Sequence, residues 1–191
     1  MLKRYFLMLA ASALASFLVA CSSNNNSDTQ NNQTPTTPQT PEAQVLAMED
    51  SGEITKLDRT DSLLGTDSNN NGIRDDIDTY INQTFTNPKE QKAVRQLASA
   101  LQATLSVGTI LDEAQRREQA KQAALTAGRA QDCVYITLSQ SDTDLSRFHD
   151  ITTKLESYTA NTKPRLQAYL AYDSALDGTA HQLQDEGVCD E

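Results

Sequence analysis

Positive charge is scarce in this chain: 16 Lys and Arg stand against 26 Asp and Glu, a formal net charge of −10. That balance excludes a nucleic-acid binder, because such proteins hold phosphates with an excess of Lys and Arg. It also excludes electrostatic attachment to an anionic lipid face, which needs a basic cluster. Histidine is nearly absent, with only His149 and His181. Neither has the i, i+4 partner or the Cys/His neighbours of a zinc site. No G-x-S-x-G elbow, P-loop or G-x-G-x-x-G occurs, so acyl-transfer and nucleotide chemistry have no starting motif. Carboxylate pairs are too common in so acidic a chain to argue for glycoside hydrolysis. Internal repeats are missing, and Cys133 to Leu138 is the lone β-leaning run, equally readable as the last turns of a helix.

Long apolar runs are missing too, with one exception at the start. Lys3 and Arg4 precede an apolar stretch from Tyr5 to Ala20, which ends Leu18-Val19-Ala20-Cys21. A short basic region, an apolar region and small residues before a cut describe a secretory signal over residues 1–20. The stretch is too short and too diluted with Ala and Ser to span a membrane. With the cysteine directly after Leu-Val-Ala, it resembles the lipobox of bacterial lipoproteins. That resemblance implies a diacylglyceryl group on the Cys21 thiol and, in many bacteria, a further acyl chain on its nitrogen. More than one chain is what stable anchoring requires. By analogy with the enterobacterial sorting rule, Ser22 after the cysteine implies the outer rather than the inner membrane, and a Gram-negative host. Loss of Lys3 and Arg4 with the signal moves the net charge from −10 to −12.

Residues 22–42 contain no aliphatic or aromatic side chain, and Asp28 and Glu42 are their only charges. Such a segment has nothing to bury and is expected to be a disordered tether from Cys21 to residue 42. Its root-mean-square span would be roughly 25 Å, with Pro35, Pro38 and Pro41 stiffening the second half.

The remainder, from about residue 43, is long enough for one domain with a real core. Residues 43–86 read as a loop-rich cap and 87–191 as a helical bundle. Asn87-Pro88 opens a helix with Val94, Leu97, Ala98, Leu101 and Leu105 on one stripe, ended or bent by Gly108. From Thr109 to about Leu138, alanines at 114, 120, 123, 124, 127 and 130 allow close helix approach, with a break expected at Gly128. Ser141 to Asp144 reads as an N-cap for a helix carrying Leu145, Phe148, Ile151, Leu155 and Tyr158. Thr162-Lys163-Pro164 starts a last helix, with Leu166, Tyr169, Leu170 and Leu176 expected inside and Gly178 as its stop. The fold class is all-α, a bundle of about four main helices.

Three cysteines are present, and lipid would take Cys21. Cys133 and Cys189 remain as an even pair in an oxidising compartment, so a disulfide is expected between them. It would close a loop of about 57 residues and stabilise the fold by roughly 3–4.5 kcal/mol on the loop-entropy model.

One loop carries chemistry. Residues 67–78, Asp-Ser-Asn-Asn-Asn-Gly-Ile-Arg-Asp-Asp-Ile-Asp, place oxygen side chains at loop positions 1, 3, 5, 9 and 12, with glycine at 6. A hard divalent cation wants six to eight oxygens, and alternate residues of a tight turn aim theirs at one centre. Ile73, Ile77 and Ile81 then fit the inner face of a short exiting helix, while Leu63 to Thr66 makes no good entering helix. The loop therefore resembles the calcium loops of dockerin modules and thrombospondin type 3 repeats more than a full EF-hand. The resemblance covers these twelve residues alone. It implies Asp67, Asn69, Asn71, the carbonyl of Ile73, Asp75 and Asp78 as ligands of one Ca2+. Three carboxylates and two amides would give a modest affinity of about 0.1–1 mM, as in extracellular modules. The bland alternative is an Asx- and Gly-rich turn capping a helix that begins near Asp75, favoured by the helix dipole with no metal at all.

Asn161, Arg165, Tyr169, Tyr172 and Asp173 line one side of the last helix. An arginine with two tyrosines is a combination enriched at interfaces, so Arg165, Tyr169 and Tyr172 are a candidate partner surface. The alternative is tyrosines packed in the bundle, with Arg165 paired to Asp173 at the surface. Taken together, the expectation is a calcium-binding, non-enzymatic lipoprotein of the cell envelope, held to the membrane by lipid on Cys21 and binding an envelope protein or cell-wall partner. An assembly or immunity-type inhibitory lipoprotein is a second reading, and a motif-free hydrolase a third.

Overall fold

A computed structural model describes residues 40–140, 145–178 and 187–190. Among these the chain forms six helices and no strand, so the fold is all-α. Cys21, most of the expected tether, the expected cap at Ser141–Asp144 and His181 lie outside the described residues.

Helix α1 runs Pro41–Ser51. The Thr40 side chain accepts from the Ala43 amide, Pro41 occupies the first turn, and Gly52 closes the helix at φ 78°. Pro41, read from the sequence as a stiffener of the tether, is thus the first residue of a helix, where its missing N–H and fixed φ are assets. The expected loop-rich cap also contains α2, Asp75–Thr84, which buries Ile77, Tyr80 and Ile81. Three acids occupy its first turn, as the helix dipole favours.

The four main helices follow: α3 (Pro88–Gly108), α4 (Glu113–Ser139), α5 (Ser146–Thr159) and α6 (Lys163–Ala175). Helix α3 is central and packs against each of the other three and against α2. Its apolar stripe, Val94, Leu97, Ala98, Leu101 and Leu105, is buried along its whole length. Helix α4 lays Ala120, Ala124, Ala127 and Ala130 against its neighbours and passes through Gly128 without a break. A helix packed along most of its length tolerates one glycine, whose cost against alanine is only about 1 kcal/mol. The main core joins Ile73, Ile77, Ile81 and Phe85 from the cap to Val94, Leu97, Leu101, Val134, Leu138, Ile151 and Leu155.

Helix α6 turns a different face inward from the one its leucines mark. Leu166 and Leu170 are about half exposed, while Arg165, Ala168, Tyr172 and Ala175 are buried. The reason is close backbone approach. A Cβ on Gly108 would stand 1.9 Å from the Ala168 carbonyl oxygen, so α3 ends against α6 with only small residues between them. Bulky leucines do not fit that seam and are rotated out of it.

The C-terminus is fastened to the bundle. A disulfide joins Cys133 to Cys189, and Val188 is buried in the main core. The Val188 carbonyl accepts from Gln96 at 2.7 Å, and Arg129 donates to the Gly187 carbonyl and pairs with Asp190 at 2.9 Å.

Candidate metal centre

The segment 67–78 is a tight loop over residues 67–74 running into the first turn of α2, and the Asp75 amide closes the loop by donating to the Thr66 carbonyl at 2.8 Å. Two residues adopt the left-handed conformation, Asn70 at φ 56° and Gly72 at φ 78°. Asn is among the few side chains that tolerate this region, and glycine does so freely. At Gly72 there is a second constraint, since a Cβ would meet the Ser99 hydroxyl at 3.0 Å.

The backbone amides of the loop turn inward onto its own side chains. Asp67 accepts from the Asn71 amide at 3.2 Å and the Gly72 amide at 2.9 Å. Asn69 Oδ1 accepts from the Asn71 amide at 3.0 Å, and Asn71 Oδ1 from the Ile73 amide at 2.9 Å. Across the loop, Asp78 Oδ2 accepts from Asn71 Nδ2 at 3.2 Å and from Asn69 Nδ2 at 3.5 Å. Asp67, Asn69, Asn71 and Asp78 thereby belong to one hydrogen-bonded cluster, while Ile73 sends its side chain into the core.

Asp75 is engaged elsewhere. Its carboxylate accepts from the hydroxyl of Ser68 at 2.7 Å and the amide of Ser68 at 2.9 Å. Those two bonds hold it below the usual carboxylate range, the hydroxyl contributing most. Asp78 has a partner the sequence did not reveal: Arg95 of α3 donates Nε to Asp78 Oδ1 at 2.8 Å. Among the described residues no group of three or more His, Cys, Asp and Glu side chains converges on one point. The donor set of this loop is of another kind, carboxylates mixed with amide and carbonyl oxygens. That set fits a hard cation such as Ca2+ chemically, for an amide oxygen has two lone pairs and can accept an N–H while still facing a cation. The Asn69 and Asn71 side-chain N–H groups present their positive ends to Asp78.

Under the loop lies a buried polar network built on two arginines with no exposed surface, Arg74 and Arg165. Arg74, at loop position 8, donates Nε and Nη2 to the two oxygens of Asp76 at 2.6 and 2.8 Å. It reaches further to the Tyr158 carbonyl at 2.9 Å and Asn161 Oδ1 at 3.2 Å. Arg165 donates to Asn161 Oδ1 at 2.8 Å, Asp58 Oδ1 at 3.0 Å, the Ser62 carbonyl at 2.8 Å and the Leu63 carbonyl at 3.0 Å. Asp58 also accepts from the amide and hydroxyl of Thr60 and of Thr66. Burial pushes its pKa up, yet the bonds from Thr60, Arg165 and Thr66 outweigh that and leave it well below the ordinary carboxylate range. Gly65 completes the arrangement: a Cβ there would lie 2.2 Å from Arg74 Cδ.

This network corrects the partner surface expected on α6. Arg165 is wholly enclosed and pairs with Asp58, not with Asp173 or an outside partner. Tyr172 is buried against Ala120, Ala124 and Ala175, and Tyr169 is half-buried beside it with ring centroids 6.0 Å apart. Burial first, and nearby negative charge second, pushes both phenols up to about 12. The residues that sequence reasoning missed are Asp58, Asp76 and the arginines at 74 and 95, while Asn161 was placed beside Arg165 without its role in joining the two arginines. The one local signal was the acids at 75, 76 and 78 just after Arg74, which give that side chain a near partner at Asp76.

Among the described residues no helix is long and apolar enough to cross a membrane. Comparison with protein-family models, with curated proteins and with solved structures finds no significant match to this chain.

Proposed function

We propose that this chain is a lipid-anchored envelope protein of a Gram-negative bacterium, with a small helical domain ordered by Ca2+ in the loop 67–78. Its role is non-enzymatic: the domain stands off the outer membrane on a tether from Cys21 and binds an envelope protein or a cell-wall component. The observation that supports the cation loop is its geometry, with Asn70 and Gly72 in the left-handed region and the Asn71 and Gly72 amides folded onto Asp67. Hydrogen bonds tie Asn69 and Asn71 to Asp78, and Asp67 to the Asn71 amide, which supports reading these four as one ligand set. The ion would be held by these four, by the Ile73 carbonyl and by Asp75, once Asp75 exchanges Ser68 for the ion or for its water. Bound there, it would supply the positive charge that three carboxylates need.

The cation would act on structure. Arg74 sits inside the loop and is bonded to Tyr158 and Asn161 at the α5–α6 corner, so fixing the loop fixes that corner too. The test is calorimetric and thermal-melt titration of the full chain in detergent with Ca2+, beside Asp67→Ala. A site of about 0.1–1 mM affinity at 10 mM Ca2+ would stabilise the fold by about 1.4–2.7 kcal/mol through ligand linkage. Saturable heat and a raised melting temperature are expected in the wild type and neither in Asp67→Ala. No binding at several millimolar Ca2+ would sink the reading and leave the loop as a helix cap.

A further inference from the structure

We infer that Arg95 is a built-in brake on the cation loop: it holds Asp78 to a single inward oxygen and thereby lowers both affinity for Ca2+ and discrimination against Mg2+. This rests on the reading of residues 67–78 as a cation loop. The two oxygens of Asp78 are divided between two environments. Oδ2 faces Asn69 and Asn71 within the loop, and Oδ1 is turned to the Arg95 guanidinium at 2.8 Å. The pair is partly shielded, with Asp78 15% and Arg95 31% exposed. Arg95 is itself clamped, donating to Asn82 of α2 and, at 3.5 Å, to Gln91 of α3. A side chain fixed from three directions does not swing aside at little cost.

Two consequences follow, and both weaken Ca2+. A fixed positive charge bonded to a ligating carboxylate repels any cation entering the loop. The second consequence separates the two ions. Ca2+ accepts six to eight oxygens in flexible geometry and gains from both oxygens of one carboxylate, whereas Mg2+ keeps to six in near-octahedral geometry. The loop offers six oxygens with Asp78 counted once. Withholding Oδ1 therefore removes a ligand that Ca2+ would use and Mg2+ would not. Arg95 acts here as a positioning residue, through Asp78.

The experiment is titration of the full chain in detergent with Ca2+ and, separately, with Mg2+, for the wild type, Arg95→Gln and Arg95→Lys. Arg95→Gln should tighten Ca2+ by about threefold to tenfold, the size expected from removing one partly screened charge and freeing an oxygen. Mg2+ should tighten less, so that the ratio of the two affinities rises. Arg95→Lys keeps the charge and loses the rigid fork, so Mg2+ should stay within about twofold of wild type while the ratio still rises. This second variant serves if Arg95→Gln does not fold, which circular dichroism without cation reports. Binding by Arg95→Gln alone would support the brake in its strongest form. Equal or weaker Ca2+ binding in the folded variants, or a ratio that never moves, overturns it while leaving the cation loop standing. Absence of binding in all three chains overturns both.

Discussion

Replacing Arg165 with methionine should cost this domain more stability than any surface change, and the structure says how much. The guanidinium is wholly buried and donates to Asn161, to Asp58 Oδ1 and to the carbonyls of Ser62 and Leu63. Methionine restores part of the volume and none of the donors. It leaves the Asp58 carboxylate, whose side chain is 11% exposed, without its countercharge. Breaking a buried pair from one side costs about 3–5 kcal/mol, mostly the penalty of the charge left behind. For a domain of this size that is a fall in melting temperature of about 6–20 °C. Asp58→Asn removes the charge and keeps most of the shape, so it should cost less, about 1–3 kcal/mol. Its value lies in the pH dependence. The folded pKa of Asp58 is depressed below the ordinary 3.8, so its contribution is fully present above that value. It is lost as pH falls through the folded pKa. The advantage of wild type over Asp58→Asn, largest at neutral pH, should therefore shrink below about pH 4. Urea unfolding followed by circular dichroism at neutral and acid pH measures both effects. An Arg165→Met chain within about 1 kcal/mol of wild type would refute the reasoning, as would a wild-type advantage over Asp58→Asn that is constant down to acid pH.

Three further expectations are open to the same assays. Gly108→Ala should destabilise by about 1–3 kcal/mol or shift α6 off α3, because its methyl would stand 1.9 Å from the Ala168 carbonyl oxygen; the melting temperature reads this, and an unchanged value would show the seam to be loose. Leu166→Gln and Leu170→Gln, at 45% and 51% exposure, should each change stability by no more than about 0.5 kcal/mol, and a loss typical of core positions would restore the leucines to the inner face. Removing the disulfide by Cys133→Ser with Cys189→Ser should cost roughly 3–4.5 kcal/mol and loosen Val188 from the core, seen as faster exchange of the Asp190 amide that donates to Gln96; full protection there in the variant would place the anchoring in Val188, Gln96 and Arg129 without the disulfide.

The parts of this fold that were legible in the sequence are those where hydrophobicity alone decides the packing. On α3 Val94, Leu97, Leu101 and Leu105 recur every three or four residues and all four are buried, because the helix is surrounded by α2, α4, α5 and α6. Its Asn87-Pro88 start is equally local, since the cap accepts from Lys89 two residues on. The pairing of Cys133 with Cys189 was legible by number, as the even pair left once Cys21 is set aside for the expected lipid. Helix α6 was misread because its inner face is chosen by something other than hydrophobicity. Ala168 must face Gly108, and Arg165 must face Asp58, so the leucines fall outside although they carry the helical period.

The same distinction runs through the loop. Its backbone was legible, since Gly72 and the Asx spacing are local requirements that local geometry satisfies. Its electrostatics were not. Arg95 lies 17 residues from Asp78, and Arg165 lies 107 residues from Asp58; no periodicity marks either pair. A charged residue in a helix reads as a solvated face until the fold encloses it, and enclosure is a property of the assembled bundle. Within the described residues, three arginines provide fixed cations that a count of loop carboxylates leaves out: Arg74 to Asp76, Arg165 to Asp58 and Arg95 to Asp78. Two of these pairs are buried beneath the loop and bind the cap to α6 and to the corner between α5 and α6. The third lies at the loop's edge, where a guanidinium and a divalent cation would compete for one carboxylate. Were the loop to hold the proposed cation, α3 would take part in setting its affinity through Arg95, beside the twelve residues of the loop itself.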